Sequence, residues 1–435
     1  MNRNNLSVGI RLVCFVLSDT IHIKGGPHSW AAFSILERVV KMKKNIKKWL
    51  AGILAAVCLA GTLAGCGGQG TGAVSLETDA SASVVSASDS TSAEAGKYPF
   101  TFKDSLGTEF TLEQPLEKIV VLNRQTAEAV KILGAEDKVI ATGDTTIENN
   151  PYLGFGELPD MGETSELNIE AIIGLASDAV LVHTNRATEV LEEKLNPLGI
   201  PVIRIDNYQP EKYEEELLLL GRLLDAEDRA QAFLEYRQGI EKMTAERIAG
   251  LSEEEKKSVM ALSVGFINSN GGYRVFPSTA TTGEMGVGEG YATLLAGGVD
   301  ACPEIQWDPV QGDTTIQVDE EYALSCDPDA ITLHGTWLGG YNCTDPADYQ
   351  TVIDNIYEIS SIGQMQAGKD RAVYVFHTDM LGASKRHIGV LQLGKYLYPE
   401  LFGDIDVESY AREYFEKWLG AEYQGIWFYS AQDVQ

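Results

Sequence analysis

Positive charge is scarce in this sequence: 34 Lys and Arg stand against 63 Asp and Glu over 435 residues. A phosphate backbone is neutralised by clustered cations, and beyond residue 65 no basic stretch survives, so nucleic acid is excluded as a partner. Cysteine is also scarce, six in all, and no CxxC pair or other metal-ligand spacing occurs, which argues against a zinc site. Long apolar runs are limited to residues 49–64, too short and wrongly flanked to span a membrane. Neither a GxSxG elbow nor an HExxH helix is present, so no hydrolytic constellation is legible. What is there is globular, 44% apolar and 22% charged, at a length that suits about two or three domains.

The few cations are unevenly placed. Residues 1–65 hold nine of them and only two acids, Asp19 and Glu37, so the remainder is more acidic than the whole-chain net charge of -29. Met42 opens a basic segment, MKKNIKK, followed by an apolar run and then Leu63-Ala64-Gly65-Cys66. That order is a secretory signal, and Cys66 after Leu-Ala-Gly resembles the bacterial lipobox, in which the thiol is acylated and becomes the mature N-terminus. Residues 1–41 fit no part of a signal and read as an upstream extension, with 42–65 the signal peptide. Residues 66–96 are Gly, Ser, Ala and Thr with few large apolar groups, a tether that cannot bury enough surface to fold. Of the cysteines beyond it, Cys302, Cys326 and Cys343, at most two can pair, and burial as free thiols is the default.

From residue 118 short β-branched runs alternate with helical patterns. Strands are expected over 119–122, 139–141, 179–182 and 202–205, and again over 259–264, 330–333 and 372–376. Such alternation implies βαβ crossovers and mostly parallel sheets. Between the two blocks lies an unbroken helical stretch beginning at Ala226. The expected architecture is therefore α/β: an N-terminal lobe over 97–225, a connecting helix over 226–254 and a C-terminal lobe over 255–435, with a ligand cleft between the lobes.

The two blocks share a signature. Glu170 is followed by Asp178-Ala179-Val180 and His183; Glu321 is followed by Asp329-Ala330-Ile331 and His334. Every element is displaced by 151 residues, including the N-cap candidates Asn168 and Asp319. Two lobes of like construction facing each other account for this, and ligands of open α/β sheets bind beyond the carboxyl ends of the strands.

Several segments now carry a resemblance: IVVLNRQTAEAVKIL, LNIEAIIGLASDAVLV, QVDEEYALSCDPDAITL and the tail RHIGVLQLGKYLYPELFGDIDVESYAREYFEKWLG. Together with the lipobox they resemble the substrate-binding lipoproteins of ABC importers for ferric siderophores, haem and cobalamin, over nearly all of residues 97–435. The resemblance implies two α/β lobes joined by one long helix, no catalytic activity and no resident cofactor or metal. It implies a monomer, lipid-anchored to the outer face of the bacterial cytoplasmic membrane, whose partners are an ABC permease with its ATPase and a metal chelate. It also implies docking on the permease through one acid of each lobe, at positions matching Glu170 and Glu321. An acid in a first helical turn is stabilised by the helix dipole whatever its role.

Ligand contacts are expected on loops after strands: Asn123, Arg124, Thr145, His183, Thr184 and Arg186 in the first lobe, and Asn268, Tyr273, Arg274, Trp307, His334, Trp337, His377 and Arg386 in the second. Guanidinium forks suit the oxygens of a ferric chelate, and indoles supply flat apolar walls. His183 and His334 are alternatives as axial ligands of haem iron, although a histidine at a strand end more often serves as a hydrogen-bonding residue. Residues 363–370, GQMQAGKD, miss a phosphate loop by ending in Asp370 and by preceding a strand instead of following one. The Gly-rich segment 283–290, GEMGVGEG, reads as a mobile loop near the cleft. The competing readings are a membrane-anchored sensor or scavenger without a transporter, and an exported α/β enzyme.

Overall fold

The computed structural model describes residues 97–432 except 144, 164–165, 185–188, 264–271, 310–312, 336–338 and 359–360. The leader, signal, Cys66 and tether, together with Arg186, Asn268 and Trp337, lie outside the described residues.

The N-terminal lobe opens with an antiparallel hairpin, β1 (Phe100–Lys103) and β2 (Glu109–Leu112). It continues into a four-stranded sheet of order β4-β3-β5-β6, formed by β3 (Ile119–Val121), β4 (Val139–Thr142), β5 (Ala179–Val182) and β6 (Val202–Arg204). All pairings in it are parallel. Every residue of β3, β5 and β6 is buried, as expected of strands covered on both faces, which is why β3 and β5 read as unbroken apolar runs; β6 ends in Arg204, whose guanidinium is held by Glu192 and the His183 carbonyl. Helices α1 (Arg124–Ile132), α2 (Ile169–Gly174) and α3 (Tyr213–Leu223) flank the sheet. The 22-residue α4 (Glu227–Ile248), about 33 Å long, then leads to the second lobe.

There the sheet has seven strands, β7 (Ser258–Ser263), β8 (Gly272–Val275), β9 (Val299–Asp300), β10 (Ile316–Asp319), β11 (Ala330–Gly335), β12 (Val373–His377) and β13 (Phe428–Ser430). The order is β10-β8-β7-β11-β12-β13, with β9 beside the start of β7. Helices α5 (Gly288–Leu295), α6 (Glu320–Cys326) and α7 (Arg386–Leu397) pack around it. The expected parallel core is present, with β7, β9, β11 and β12 paired in parallel, and the sheet is mixed at its flanks, where β8, β10 and β13 pair antiparallel with their neighbours. Only eight residues separate β7 from β8, and a parallel crossover needs a dozen or more.

The 151-residue repeat is structural. Asp178 Oδ2 accepts the backbone N–H groups of Glu117 and Lys118, each at 2.8 Å, just ahead of β3. Asp329 Oδ2 accepts the backbone N–H and the hydroxyl of Ser258, at 2.8 and 2.9 Å, at the start of β7. In each lobe the repeated Asp pins the strand alongside its own. The repeated histidines diverge: His183 lies just past β5, whereas His334 lies inside β11 with its ring in the core.

Between the lobes runs a buried polar seam. Lys385, immediately before α7, places Nζ 2.5 Å from Glu128 Oε2 on α1 and donates to the Tyr152 hydroxyl at 2.8 Å. The hydroxyls of Tyr152 and Tyr414 both donate to the Glu128 carboxylate. The rings of Tyr152, Tyr414, Phe415 and Trp427 stand 4.9 to 5.9 Å from the ammonium, a cation–π enclosure that offsets some of its lost hydration. Both charged side chains are nearly inaccessible. Removing one partner of such a pair strands the other, at a cost of about 3 to 5 kcal/mol. Lys385→Met should lower the unfolding free energy by about that amount in urea titrations, and Glu128→Gln added to it should cost less than the sum of the two single changes by about 2 kcal/mol. Additive effects would show that the two groups do not act as a pair.

Candidate functional site

A cavity of about 510 Å³ opens between the lobes, beyond the carboxyl ends of β3, β5, β6 and β12. One wall is made by Arg124 and Gln125 in the first turn of α1, Thr184 after β5, and residues 208–212 after β6. The opposite wall is made by residues 285–289 leading into α5, Trp307, and Thr378 with Asp379 after β12.

Local chemistry fixes these groups. Asn123 Oδ1 accepts the Thr126 N–H at 2.6 Å, starting α1, and Nδ2 donates to the Ile205 carbonyl at 3.2 Å, tying that start to the end of β6. Arg124, next in line, meets Asp379 across the cleft in a two-pronged contact, Nη2–Oδ1 3.2 Å and Nη1–Oδ2 3.4 Å. Asn150 Nδ2 reaches the same carboxylate at 3.4 Å. Burial disfavours the Asp379 charge, but the Arg124 guanidinium, with His377 and Lys385 beyond it, holds its carboxyl well below the usual carboxylate range. Glu289 is pushed the other way by burial, with the Thr378 hydroxyl donating to Oε1 at 2.6 Å. Asp206 takes the N–H and hydroxyl of Thr184, both at 2.8 Å, and lies 3.2 Å from His183 Nδ1. Burial opposes the Asp206 charge, yet those hydrogen bonds keep its carboxyl below the ordinary range.

Of the residues expected to contact ligand, the structure brings Arg124, Thr184 and Trp307 to the cavity wall. The others among the described residues serve elsewhere. Asn123 is a buried helix cap. Thr145, at φ +63°, takes the Asn149 amide on Oγ1 at 2.7 Å. His183 is held through both ring nitrogens, by Asp206 and by Gln125 Oε1, each at 3.2 Å. Tyr273 points into the C-terminal core, its hydroxyl 2.5 Å from Ser361 Oγ. Arg274 clamps β8 to the Thr315 hydroxyl and carbonyl at 2.8 and 2.9 Å. His334 packs on Phe276 and Phe376 with Nε2 2.8 Å from the Thr332 hydroxyl, and burial pushes its pKa down to about 3. His377 lies beneath the cleft, where Nδ1 accepts the Asp379 N–H at 3.3 Å. Arg386 is buried against α4, away from the cavity wall. Neither His183 nor His334 lines the cleft, so the alternative of a histidine from each lobe on haem iron is not supported by their positions.

Sequence reading missed Gln125, Tyr208, Met285, Glu289 and Asp379. Asp379 lies two residues past His377, on the same loop after a correctly expected strand. Glu289 lies within GEMGVGEG, whose last three residues open α5 and whose Gly286 and Gly290 pack so closely that a Cβ would overlap the backbone of Pro277 and Phe276. Residues 363–370 form tight helical turns entering β12, as their order implied.

Glu170 and Glu321 occupy matching places. Each is exposed at the second residue of its helix, behind caps in which Asn168 accepts the Ala171 N–H at 3.1 Å and Asp319 accepts the Tyr322 N–H at 2.8 Å.

A family model for periplasmic binding proteins matches residues 119–380. The molybdate-binding protein MolA of Haemophilus influenzae is 23% identical over 346 residues, covering 74% of this chain and 91% of that protein. A cobalamin-binding protein of Halobacterium salinarum is 26% identical over 245 residues, 54% of this chain and 59% of its own. Among solved structures, the TroA-like periplasmic binding protein FepB from Veillonella parvula aligns with a TM-score of 0.61 at 19% identity, covering 76% of this chain and 99% of that one. MolA bound to molybdate aligns at 0.57 with 18% identity, covering 75% and 100%.

Because the folded carboxyl of Asp379 titrates below the unfolded value of about 3.9, its contribution to stability is complete above about pH 4 and is lost as the pH falls through and below that value. Melting temperatures taken from about pH 6 down to about pH 2 should fall less steeply in Asp379→Asn, from a lower starting point. A variant with the wild-type acid limb would show that Arg124 does not hold this charge.

Proposed function

Because this chain belongs to the periplasmic binding protein family, the extracytoplasmic substrate-binding components of ABC transporters and not enzymes, we propose that it captures a ferric siderophore in the cleft between its lobes and delivers it to a membrane permease. The observation that carries this reading is the cavity itself. Both lobes contribute to it, its volume suits a small-molecule ligand, and Arg124, Lys212 and Trp307 are among the residues that line it. A chelate whose iron sphere is already filled needs donors to its outer oxygens and apolar walls, and no histidine. Among the described residues no histidine lines the cavity. Molybdate, the named ligand of MolA, would leave most of about 510 Å³ unfilled. Haem and cobalamin remain the ligands to set against a siderophore.

In this reading Cys66 carries the lipid that holds the protein at the membrane, and Glu170 and Glu321 present one carboxylate from each lobe to arginines of the permease. Their equivalent, exposed positions in the repeat support a paired role. The protein acts as a monomer with the permease and its ATPase.

Ligand choice is tested by thermal shift and absorbance on the purified chain against ferric siderophores, haem, cobalamin and molybdate. A ferric siderophore at about a hundred times its Kd should stabilise the native state by about 2.7 kcal/mol. A Soret band with haem, or stabilisation by molybdate alone, would contradict the assignment. Docking is tested separately: Glu170→Ala with Glu321→Ala should leave ligand affinity unchanged and abolish uptake by cells. Full uptake by the double variant would remove the docking role, and unchanged dependence on the ligand without any transport in the wild type would favour a sensor or scavenger.

A further inference from the structure

A second cavity, of about 350 Å³, lies beneath α4, between it, α5 and α7. Its lining is largely apolar, with Ala245, Met285, Tyr291, Leu295 and Val390, and is completed by Glu241, Lys242, Thr244 and Arg386. Met285 is shared with the main cleft, and its backbone N–H is held by Glu211 Oε1 at 2.9 Å from the opposite lobe.

One charged group on this apolar wall is underpaired. Arg386 is only 7% exposed, yet its sole ion-pair contact among the described residues is 3.6 Å to Glu241 Oε1, longer than a hydrogen bond, and Nε has no partner. Glu241 is itself shared. The same Oε1 already accepts from Arg237 Nε at 2.8 Å, and Arg237 is itself buried, stacked on Tyr213 with its own Nη1 without a partner. Two buried guanidiniums therefore share one carboxylate, which leaves one positive charge uncompensated in a poorly hydrated place. His387, next in sequence, adds no compensation, since burial together with Arg237 and Arg386 holds its ring neutral. Buried charges are ordinarily paired, and Arg presents a fork matched to a carboxylate.

We propose that this cavity is a binding site for a small aliphatic monocarboxylate, its carboxylate on the Arg386 guanidinium and its hydrocarbon body against Leu295, Val390, Ala245 and Met285. Such a ligand supplies the missing negative charge and fills the apolar remainder, which neither a bare inorganic anion nor a neutral lipid does. The site borders the main cleft at Met285, and its test does not depend on the ligand assigned there.

Octanoate is the probe, titrated calorimetrically into the purified chain beside octan-1-ol and inorganic sulfate. Octanoate should bind saturably, and octanol and sulfate at least tenfold more weakly. Arg386→Gln should weaken octanoate at least tenfold while keeping or raising the melting temperature of the free protein, because it removes an underpaired buried charge. Glu241→Gln should act the opposite way and tighten octanoate several-fold, since it removes the one carboxylate that competes for Arg386; a folding defect cannot produce tighter binding. Absence of saturable octanoate binding, equal binding of octanol or sulfate, or unchanged octanoate affinity in Arg386→Gln would each overturn the proposal.

Discussion

The relation between the two lobes rests on a buried ion pair. Glu128 belongs to the first lobe and Lys385 to the second, and each is nearly sealed from water. Two tyrosine hydroxyls complete the carboxylate, and four aromatic rings surround the ammonium. A displacement that strands either dehydrated charge without its partner costs several kcal/mol, so the seam fixes the register of the two lobes, whatever its net contribution relative to apolar packing. Tyr213 adds a hydroxyl bond to Ser384 at 2.9 Å beside it. The 22-residue α4 between the sheets contributes a second restraint, because a continuous helix bends little without a Pro or a local disruption.

The cleft follows from that constraint. With the lobes fixed at the seam, the chain ends of β3 and β12 deliver Arg124 and Asp379 to the same place. The pair sits at the border between seam and cavity, where Asn150 connects it to Tyr152 and so to Glu128. An anionic group entering the cavity competes with Asp379 for Arg124, and ligand affinity is then the difference between two forks on the same guanidinium. A site of this kind favours ligands that bring several contacts over those that bring charge alone, because the charge–charge gain is partly cancelled by what it displaces. Large domain closure is not needed to assemble it, in keeping with a ligand that binds by shifting a modest equilibrium.

The architecture was legible because its signals are local. Residues 119–122 and 179–182 are unbroken apolar runs and 330–333 is apolar but for Thr332, the pattern of strands buried on both faces. The repeated Glu, Asp and His were legible as spacing, and the Asp proved to be the structural member, pinning the adjacent strand in each lobe. The antiparallel strands of the second sheet were not legible: GYRV and IQVD are four residues each, interrupted by polar groups, and gain their place from pairing with each other. The site was only partly legible, with Arg124, Thr184 and Trp307 reaching the wall. Rules that point to loops after strands cannot tell a side chain turned toward the cleft from one turned into the core. His334, Tyr273 and Asn123 therefore carry the same sequence signal as the wall residues while turning into the core, and Arg386 belongs to the cavity under α4. Glu128 and Lys385 lie 257 residues apart, and no periodicity links them.

The central claim is that the interlobe seam presets the cleft. Pulsed electron paramagnetic resonance between spin labels at positions 170 and 321, with Cys326 and Cys343 replaced by Ser, measures the separation of the lobes directly. The account predicts one narrow distance in the ligand-free protein, shifting by about 2 Å or less at saturating concentration of whichever ligand binds the cleft, and a broadened distribution in Lys385→Met. A broad distribution in the wild type, or a ligand-induced shift of several times that size, would contradict it.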